Sequence, residues 1–295
     1  MRFLSTAVAC LLAFALPGFA TPLLESRADG IDQATYDDLV LYTKYSSAAY
    51  QWICPWPLGN TLVKQFDTSG TQGFVARDDK RKEIVLAFRG SLEVKDAIVD
   101  ILIIMTPLKA TGVSNVGDAY VHTGFQYAYN VVGKTVLDLV KAQVAAYPSY
   151  NIVVTGHSLG GSVASFASLA LKEAFPNKPI KLYTYGDSYI FPKGQPRTGN
   201  AAFASLVENR IGVNNIFRAV HTFDGVPTIL FKSLGYRHFG TEYWNFKEPP
   251  SAANTKKCVG GDDPTCSDSN PSLFITVAHP IYFGQVFALN PLLCL

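Results

Sequence analysis

Along the chain, apolar residues recur at two spacings, and the spacings alternate. From Asp32 to Tyr50 they fall at Tyr36, Leu39, Val40 and Tyr45, which predicts a helix packing across a sheet edge. Gln72–Arg77 and Glu83–Phe88 are short apolar runs separated by Asp78-Asp79-Lys80, the pattern of two strands and a hairpin turn. From Phe125 to Tyr147 the helical spacing returns through Val132, Val136, Leu139, Val140 and Val144, and Pro148 stops it. Asn151–Val154 is a β-branched run of the kind found in buried strands, and an Ala-, Leu- and Ser-rich helix follows from Ser162 to Phe175. Further strands are predicted at Ile180–Tyr185, Ile216–His221 and Tyr236–Trp244. Trp52–Asn60 reads as a Pro- and Trp-rich loop, and Pro249–Pro271 as an extended surface loop. Strands that alternate with helices predict an α/β layered fold with a mainly parallel sheet.

The first twenty residues break this pattern. Arg2 precedes an apolar stretch from Phe3 to Leu16, and Gly18-Phe19-Ala20 ends in a small-x-small site, the form of a secretory signal. That stretch is too short to be a stable membrane span, and no later stretch is long and apolar enough to be one. Residues 1–20 are therefore expected to leave, 21–28 to form at most a short pro-segment, and 21–295 to fold as one domain, soluble, secreted and monomeric. With 295 residues, 48% of them hydrophobic, the chain can bury a large core. Its formal charge of +2, with no basic run, points away from nucleic acid.

Of five cysteines Cys10 lies in the signal, so four enter an oxidising route, and they allow three pairings. Cys258 and Cys266 flank a Gly-, Asp- and Pro-rich loop and form the natural local pair, which leaves Cys54 for Cys294. In the chain-entropy account a closure that long contributes roughly 5 kcal/mol. No N-glycosylation sequon, C-x-x-C or H-x-x-x-H spacing occurs, so no metal or cofactor is expected.

Between the strand at 151–154 and the helix at 162–175 stands Gly156-His157-Ser158-Leu159-Gly160, a G-x-S-x-G. Strand, sharp turn, helix is the context in which this motif becomes a nucleophile elbow. A Cβ at 156 or 160 would collide with the neighbouring elements, and the helix N-terminus favours developing negative charge beside Ser158. The alternative is a serine in a Gly-rich turn. A serine needs a base, and the base needs an orienting group. His221, His238 and His279 follow Ser158 in the chain. His279 lies in a Pro-bounded loop that can reach across the sheet edge. His221 is expected to end a strand and His238 to be packed within one. For the acid, Asp224 follows the strand at 216–221 and precedes Gly225-Val226-Pro227, while Asp187 competes because it too follows a strand. Asp262, Asp263 and Asp268 look solvated. Two backbone N–H donors are needed for an oxyanion; Leu159 and Ser91, at the end of Phe88-Arg89-Gly90-Ser91, are placed to supply them.

These residues resemble the fungal class 3 lipases, a family that includes the filamentous-fungus triacylglycerol lipases and the type-A feruloyl esterases. The resemblance runs from about Ala34 to the C-terminus. It is carried by Phe88-Arg89-Gly90-Ser91, His122-Thr123-Gly124-Phe125, the G-x-S-x-G, Pro196-Arg197-Thr198-Gly199-Asn200, His221 through Pro227, and His279 through Phe283. It implies an α/β-hydrolase fold with a lid over the active site. It implies Ser158, Asp224 and His279 as the triad, Ser91 and Leu159 as the oxyanion hole, both disulfides, and a structural part for His122. Two departures stand out. Residues 187–194 separate Tyr183-Thr184-Tyr185-Gly186 from Gln195-Pro196-Arg197, where the family is nearly continuous, and the stretch after Asp224 lacks further prolines. The first predicts an extra loop beside the site that can be deleted without loss of folding.

From Leu92 to Met105 the residues Val94, Ile98, Ile101, Leu102 and Met105 share one helical face, and Glu93, Asp96 and Asp100 another. The family carries its mobile lid here. The apolar face, with Leu92, Val94, Ile98, Ile101 and Leu102, resembles the lipase kind rather than the polar feruloyl-esterase kind, although Ala97 stands where many such lipases carry Trp. The alternatives are a helix packed permanently on the core, or a helix grading into a strand at Ile101–Met105. The expectation is an acylglycerol lipase acting at a lipid–water interface. A feruloyl, cutin-like or phospholipid esterase, and a catalytically silent lipid- or wall-binding homologue, are the competing readings.

Overall fold

The computed structural model describes residues 30–90, 104–186, 196–222, 230, 232–269, 281–287 and 290–295. In chain order its helices are α1 (Gln33–Ala48), α2 (Thr123–Ala146), α3 (Leu159–Ala174) and α4 (Ala201–Ile211). Its strands are β1 (Thr61–Thr68), β2 (Thr71–Asp78), β3 (Glu83–Phe88), β4 (Met105–Pro107), β5 (Tyr120–His122), β6 (Asn151–His157) and β7 (Ile180–Tyr185). After these come β8 (Gly199–Asn200), β9 (Ile216–His221), β10 (Tyr236–Arg237), β11 (Thr241–Asn245), β12 (Thr255–Lys257), β13 (Ile281–Tyr282) and β14 (Gln285–Val286).

Eight strands form the main sheet in the order β1-β2-β3-β6-β7-β9-β11-β12. The five from β3 to β11 run parallel, and antiparallel pairs close both edges. Its central strands are buried on both faces, which is why they read as unbroken apolar runs. Ile84, Leu86, Phe88, Ile152 and Val154 point to the face covered by α2, α3 and α4. Val85, Ala87 and Val153 point to the other, covered by α1 and the β13–β14 hairpin. Each fully buried aliphatic side chain contributes roughly 1.5–3 kcal/mol, and these two layers supply most of the core. This is the mainly parallel, helix-flanked sheet of an α/β hydrolase.

Four expectations change. α1 lies over the middle of one face, on β3, β6 and β7, not across an edge. Its tyrosines make this possible, because their hydroxyls find partners on the sheet: Tyr42 donates to Glu83 (2.7 Å) and Tyr45 to Asp78 (3.3 Å). The strand expected at Tyr236–Trp244 is two strands in two sheets. Gly240, with φ +76°, turns the chain between them, and a Cβ there would sit 2.2 Å from Ile216 Cγ2. The Pro249–Pro271 stretch is not wholly loop, since β12 pairs with β11 as the edge strand. Asp262, Asp263 and Asp268 are held rather than solvated. Arg197 donates to Asp262 (2.9 Å) and Asp268 (3.4 Å), and Asp263 accepts from the N–H groups of Val259 and Thr265, both at 2.8 Å. Burial alone would raise the Asp262 carboxyl; the Arg197 guanidinium and the His238 N–H more than offset that and hold it below the ordinary range. β1 had no sequence signal, because Lys64, Gln65 and Asp67 interrupt its apolar positions at the exposed edge.

Both disulfides form as expected, Cys258 with Cys266 and Cys54 with Cys294.

Candidate active site

The carboxyl ends of β3, β6 and β7 come level, with Phe88 beside Gly156 and His157 beside Tyr185. In parallel α/β sheets ligands bind at that edge, and Ser158 stands on it between β6 and α3. Its backbone has φ +57° and ψ −127°, a conformation that costs a non-glycine residue about 1–3 kcal/mol. Packing holds it there. Ser158 N–H donates to Tyr185 O (2.9 Å), and Ser158 O accepts from Gly161 N–H (2.9 Å). The glycines are required by contact: a Cβ on Gly156 would lie 2.1 Å from Gly160 O, and one on Gly160 would lie 2.6 Å from Phe88 O.

A serine at a helix N-cap ordinarily turns its hydroxyl onto the first-turn N–H groups. Ser158 occupies that position and makes no such bond. The strained dihedrals turn its side chain away from the helix and leave the hydroxyl for other chemistry. Leu159 opens α3, so its N–H has no partner within the helix.

The end of β3 packs directly on this elbow. A Cβ on Gly90 would meet His157 O at 2.8 Å and Ser158 Cβ at 2.9 Å, so only glycine lets the two turns approach. Tyr50 pins them together. Its phenol is hydrogen-bonded to His157 Nδ1 (2.5 Å) and accepts from Gly90 N–H (3.1 Å). Arg89 fixes the same turn from the other side, donating to Gly90 O (3.1 Å), to Gln72 Oε1 and to Gly70 O (3.4 Å). His157 is buried, and Phe287 stacks on its ring at 3.5 Å between centroids.

Ser91, Asp224 and His279 lie outside the described residues, as do the competitor Asp187, the segment 187–194 and the lid residues Leu92, Val94, Ile98, Ile101 and Leu102. Residues adjoining them in the chain are described. Thr222, two residues before Asp224, donates its N–H to Asn245 O (2.7 Å), and its carbonyl accepts from Trp244 Nε1 (3.0 Å). Leu230, six residues after Asp224, has its carbonyl held by Arg197 (3.2 Å). Tyr282, three residues after His279, packs its ring 5.7 Å from that of His221 and 6.5 Å from that of His157. Of these neighbours, Tyr282 packs near His157 at the end of β6, and Thr222 follows the carboxyl end of β9 in the same sheet.

His221 ends β9 and its Nε2 is hydrogen-bonded to Glu248, the structural part expected of it. His238 is buried as expected, although it lies between β10 and β11 rather than within a strand. His122 caps α2, its Nδ1 accepting from Gly124 N–H (3.1 Å) and Phe125 N–H (3.4 Å), and burial lowers its pKa to about 4. Tyr50 and Gln72 were missed. Neither carries a motif, and their roles come from tertiary contact across 107 and 17 positions, respectively.

The lipase (class 3) family profile matches residues 85–234. A secreted alkaline triacylglycerol lipase of Penicillium cyclopium is 34% identical over 270 residues, which cover 90% of each chain. The crystal structure of a triacylglycerol lipase from Penicillium expansum superposes with a TM-score of 0.75 at 32% identity, covering 88% of this chain and 96% of that one. A triacylglycerol lipase whose catalytic centre is described as a serine protease triad matches with a TM-score of 0.73 at 29% identity, over 88% and 97% of the two chains.

Proposed function

The chain belongs to the class 3 lipase family, and on that premise we propose that it is a secreted serine hydrolase that cleaves acylglycerol esters at a lipid–water interface. The observation that carries the reading is Ser158. It is held in a strained elbow with its hydroxyl unused by the helix, and Gly90 of the neighbouring turn lies against it.

In this reading Ser158 attacks the ester carbonyl while His279 takes its proton. Asp224 holds the imidazole in the correct tautomer and stabilises the imidazolium. The oxyanion forms next to the N–H groups of Leu159 and Ser91. Gly90 supports the second assignment, because Tyr50 and Arg89 fix the peptide that leads into Ser91. His279 then protonates the departing alcohol, and water attacks the acyl-enzyme to release the acid. An alcohol, an imidazole, a carboxylate and two N–H donors suffice for these steps, with no metal or cofactor. The amphipathic segment that starts at Leu92 is the lid, although it stops short of Met105, which belongs to β4; residues 1–20 are the signal, and the mature chain acts as a monomer. Two disulfides and the secreted relative support export.

A fluorophosphonate probe tests the chemistry. Labelling should occur at Ser158 and vanish in Ser158→Ala, with turnover falling about 10⁶-fold. A Ser158→Ala variant that still cleaved esters would remove the assignment, and a native protein inert to the probe would indicate a silent homologue. Rates on tributyrin below and above its solubility limit test the substrate class. A jump once droplets form supports the lipase, and preference for methyl ferulate overturns it.

A further inference from the structure

Among the described residues most large exposed apolar side chains are scattered singly, but five lie around one disulfide. Trp52 is 66% exposed, Ile53 79%, Trp56 57%, Leu292 75% and Leu295 69%. Cys54, between the first three, is bonded to Cys294, between the last two. Trp56 N–H also donates to Cys294 O (3.3 Å). The cross-link thus brings together the two backbone segments that carry these two exposed indoles and three exposed aliphatic side chains, and exposed apolar groups gathered in this way mark an interaction surface. We propose that this patch is a lipid-surface anchor separate from the 92–105 segment, a proposal that rests on the ester-hydrolase reading for its purpose but not for its chemistry.

Three observations favour lipid. Indoles bury their rings and keep their N–H hydrated at the headgroup boundary, so a pair of exposed Trp suits a membrane or droplet surface. Lys44 and Lys80 line the groove beside Leu58, Leu292 and Leu295 and make no ion pair among the described residues, whereas Arg81, which also lines it with Asp78, is already paired with Asp38 and Glu83. They complement anionic headgroups or the fatty acid that accumulates on a droplet during hydrolysis. A second copy packed about a two-fold axis would instead bring these lysines toward their own equivalents.

The patch is also tied to the site. Gln65 Nε2 donates to Gln51 O (2.8 Å) and Trp52 O (3.2 Å), and Gln72 Nε2 donates to Gln51 O (3.0 Å). Gln72 Oε1 in turn accepts from Arg89, which bonds Gly90 O. Two side chains therefore connect the anchor's backbone to the turn beside Ser158. Tyr50, two residues before Trp52, touches that turn directly. Docking through Trp52 and Trp56 would hold the carboxyl edge of the sheet close to the lipid.

The test is partition onto vesicles of phosphatidylcholine with one-fifth phosphatidylglycerol, measured by co-sedimentation without any hydrolysis. Two of the three tryptophans lie in the patch, so native indole emission should shift to the blue on binding; bound protein with unshifted emission would overturn the proposal. Trp52→Ser with Trp56→Ser should lower partition about ten- to a hundredfold. The same variant should cleave dissolved p-nitrophenyl butyrate at the native rate, which shows that it is folded. Unchanged partition in it would sink the anchor, as would loss of dimers in sedimentation with lipid binding intact, the mark of a second copy. If the native protein cleaves no ester at all, the functional reading fails, while the partition and emission results still judge the anchor.

Discussion

Tyr50→Phe removes a single oxygen and tests how the site is held. The phenol is buried at 4% exposure and joins His157 Nδ1 to the N–H of Gly90. Each such bond contributes about 1 kcal/mol net, and a buried N–H left without a partner costs about 1–3 kcal/mol. Losing both bonds should therefore cost about 2–4 kcal/mol. In a chain of this size that lowers Tm by roughly 5–10 °C. The Gly90 peptide leads into the proposed oxyanion donor, so part of the cost should fall on the transition state. If about 2 kcal/mol does, kcat drops about thirtyfold. KM should stay nearly constant, because the oxyanion exists only after attack. The assay is dissolved p-nitrophenyl butyrate, which avoids the lipid surface, with Tm measured on the same preparation. A variant with the expected fall in Tm but a native kcat would refute the reasoning, since the phenol would then brace the fold and not the turn.

Three further outcomes are expected. His122 titrates at about 4 when folded and near 6.5 in an unfolded chain, so the unfolded state binds more protons between those values. Its contribution, about 3 kcal/mol, is complete above pH 6.5 and is lost as pH falls toward 4. His122→Asn keeps a capping acceptor and should flatten that limb of the stability curve in urea titrations; an unchanged limb refutes the assignment. Gly240→Ala sets a Cβ 2.2 Å from a buried Ile216 methyl at φ +76° and should cost about 2–4 kcal/mol, read as a lower Tm. Deleting 187–194 should leave a soluble, cooperatively melting protein, and aggregation of the deletion variant would contradict the reading of that segment as an added loop.

The parallel strands were legible because burial on both faces makes them continuous apolar runs, and β7 and β9 fall at the limits expected. The elbow was legible because a strained serine between strand and helix needs small residues on either side, and glycine is visible in a sequence. Tyr50 was not, since nothing local distinguishes a tyrosine that spans to position 157 from one that merely fills space. β1 was hidden because an edge strand exposes its outer positions, and polar residues there erase the alternation. The split of β10 from β11 depended on Gly240 meeting Ile216, a contact between residues 24 positions apart.

The bond between Cys54 and Cys294 spans 240 positions. While a ribosome makes the chain, the first thiol emerges and waits through the synthesis of every strand of the main sheet from β1 to β12 before its partner exists. The bond can therefore form only after every strand of that sheet has been synthesised. Once Cys258 and Cys266 have been made, Cys54 is open to mispairing with either of them. Production in a reducing cytosol should remove roughly 5 kcal/mol of stabilisation and leave the C-terminal segment, with Phe287 against His157, unlatched.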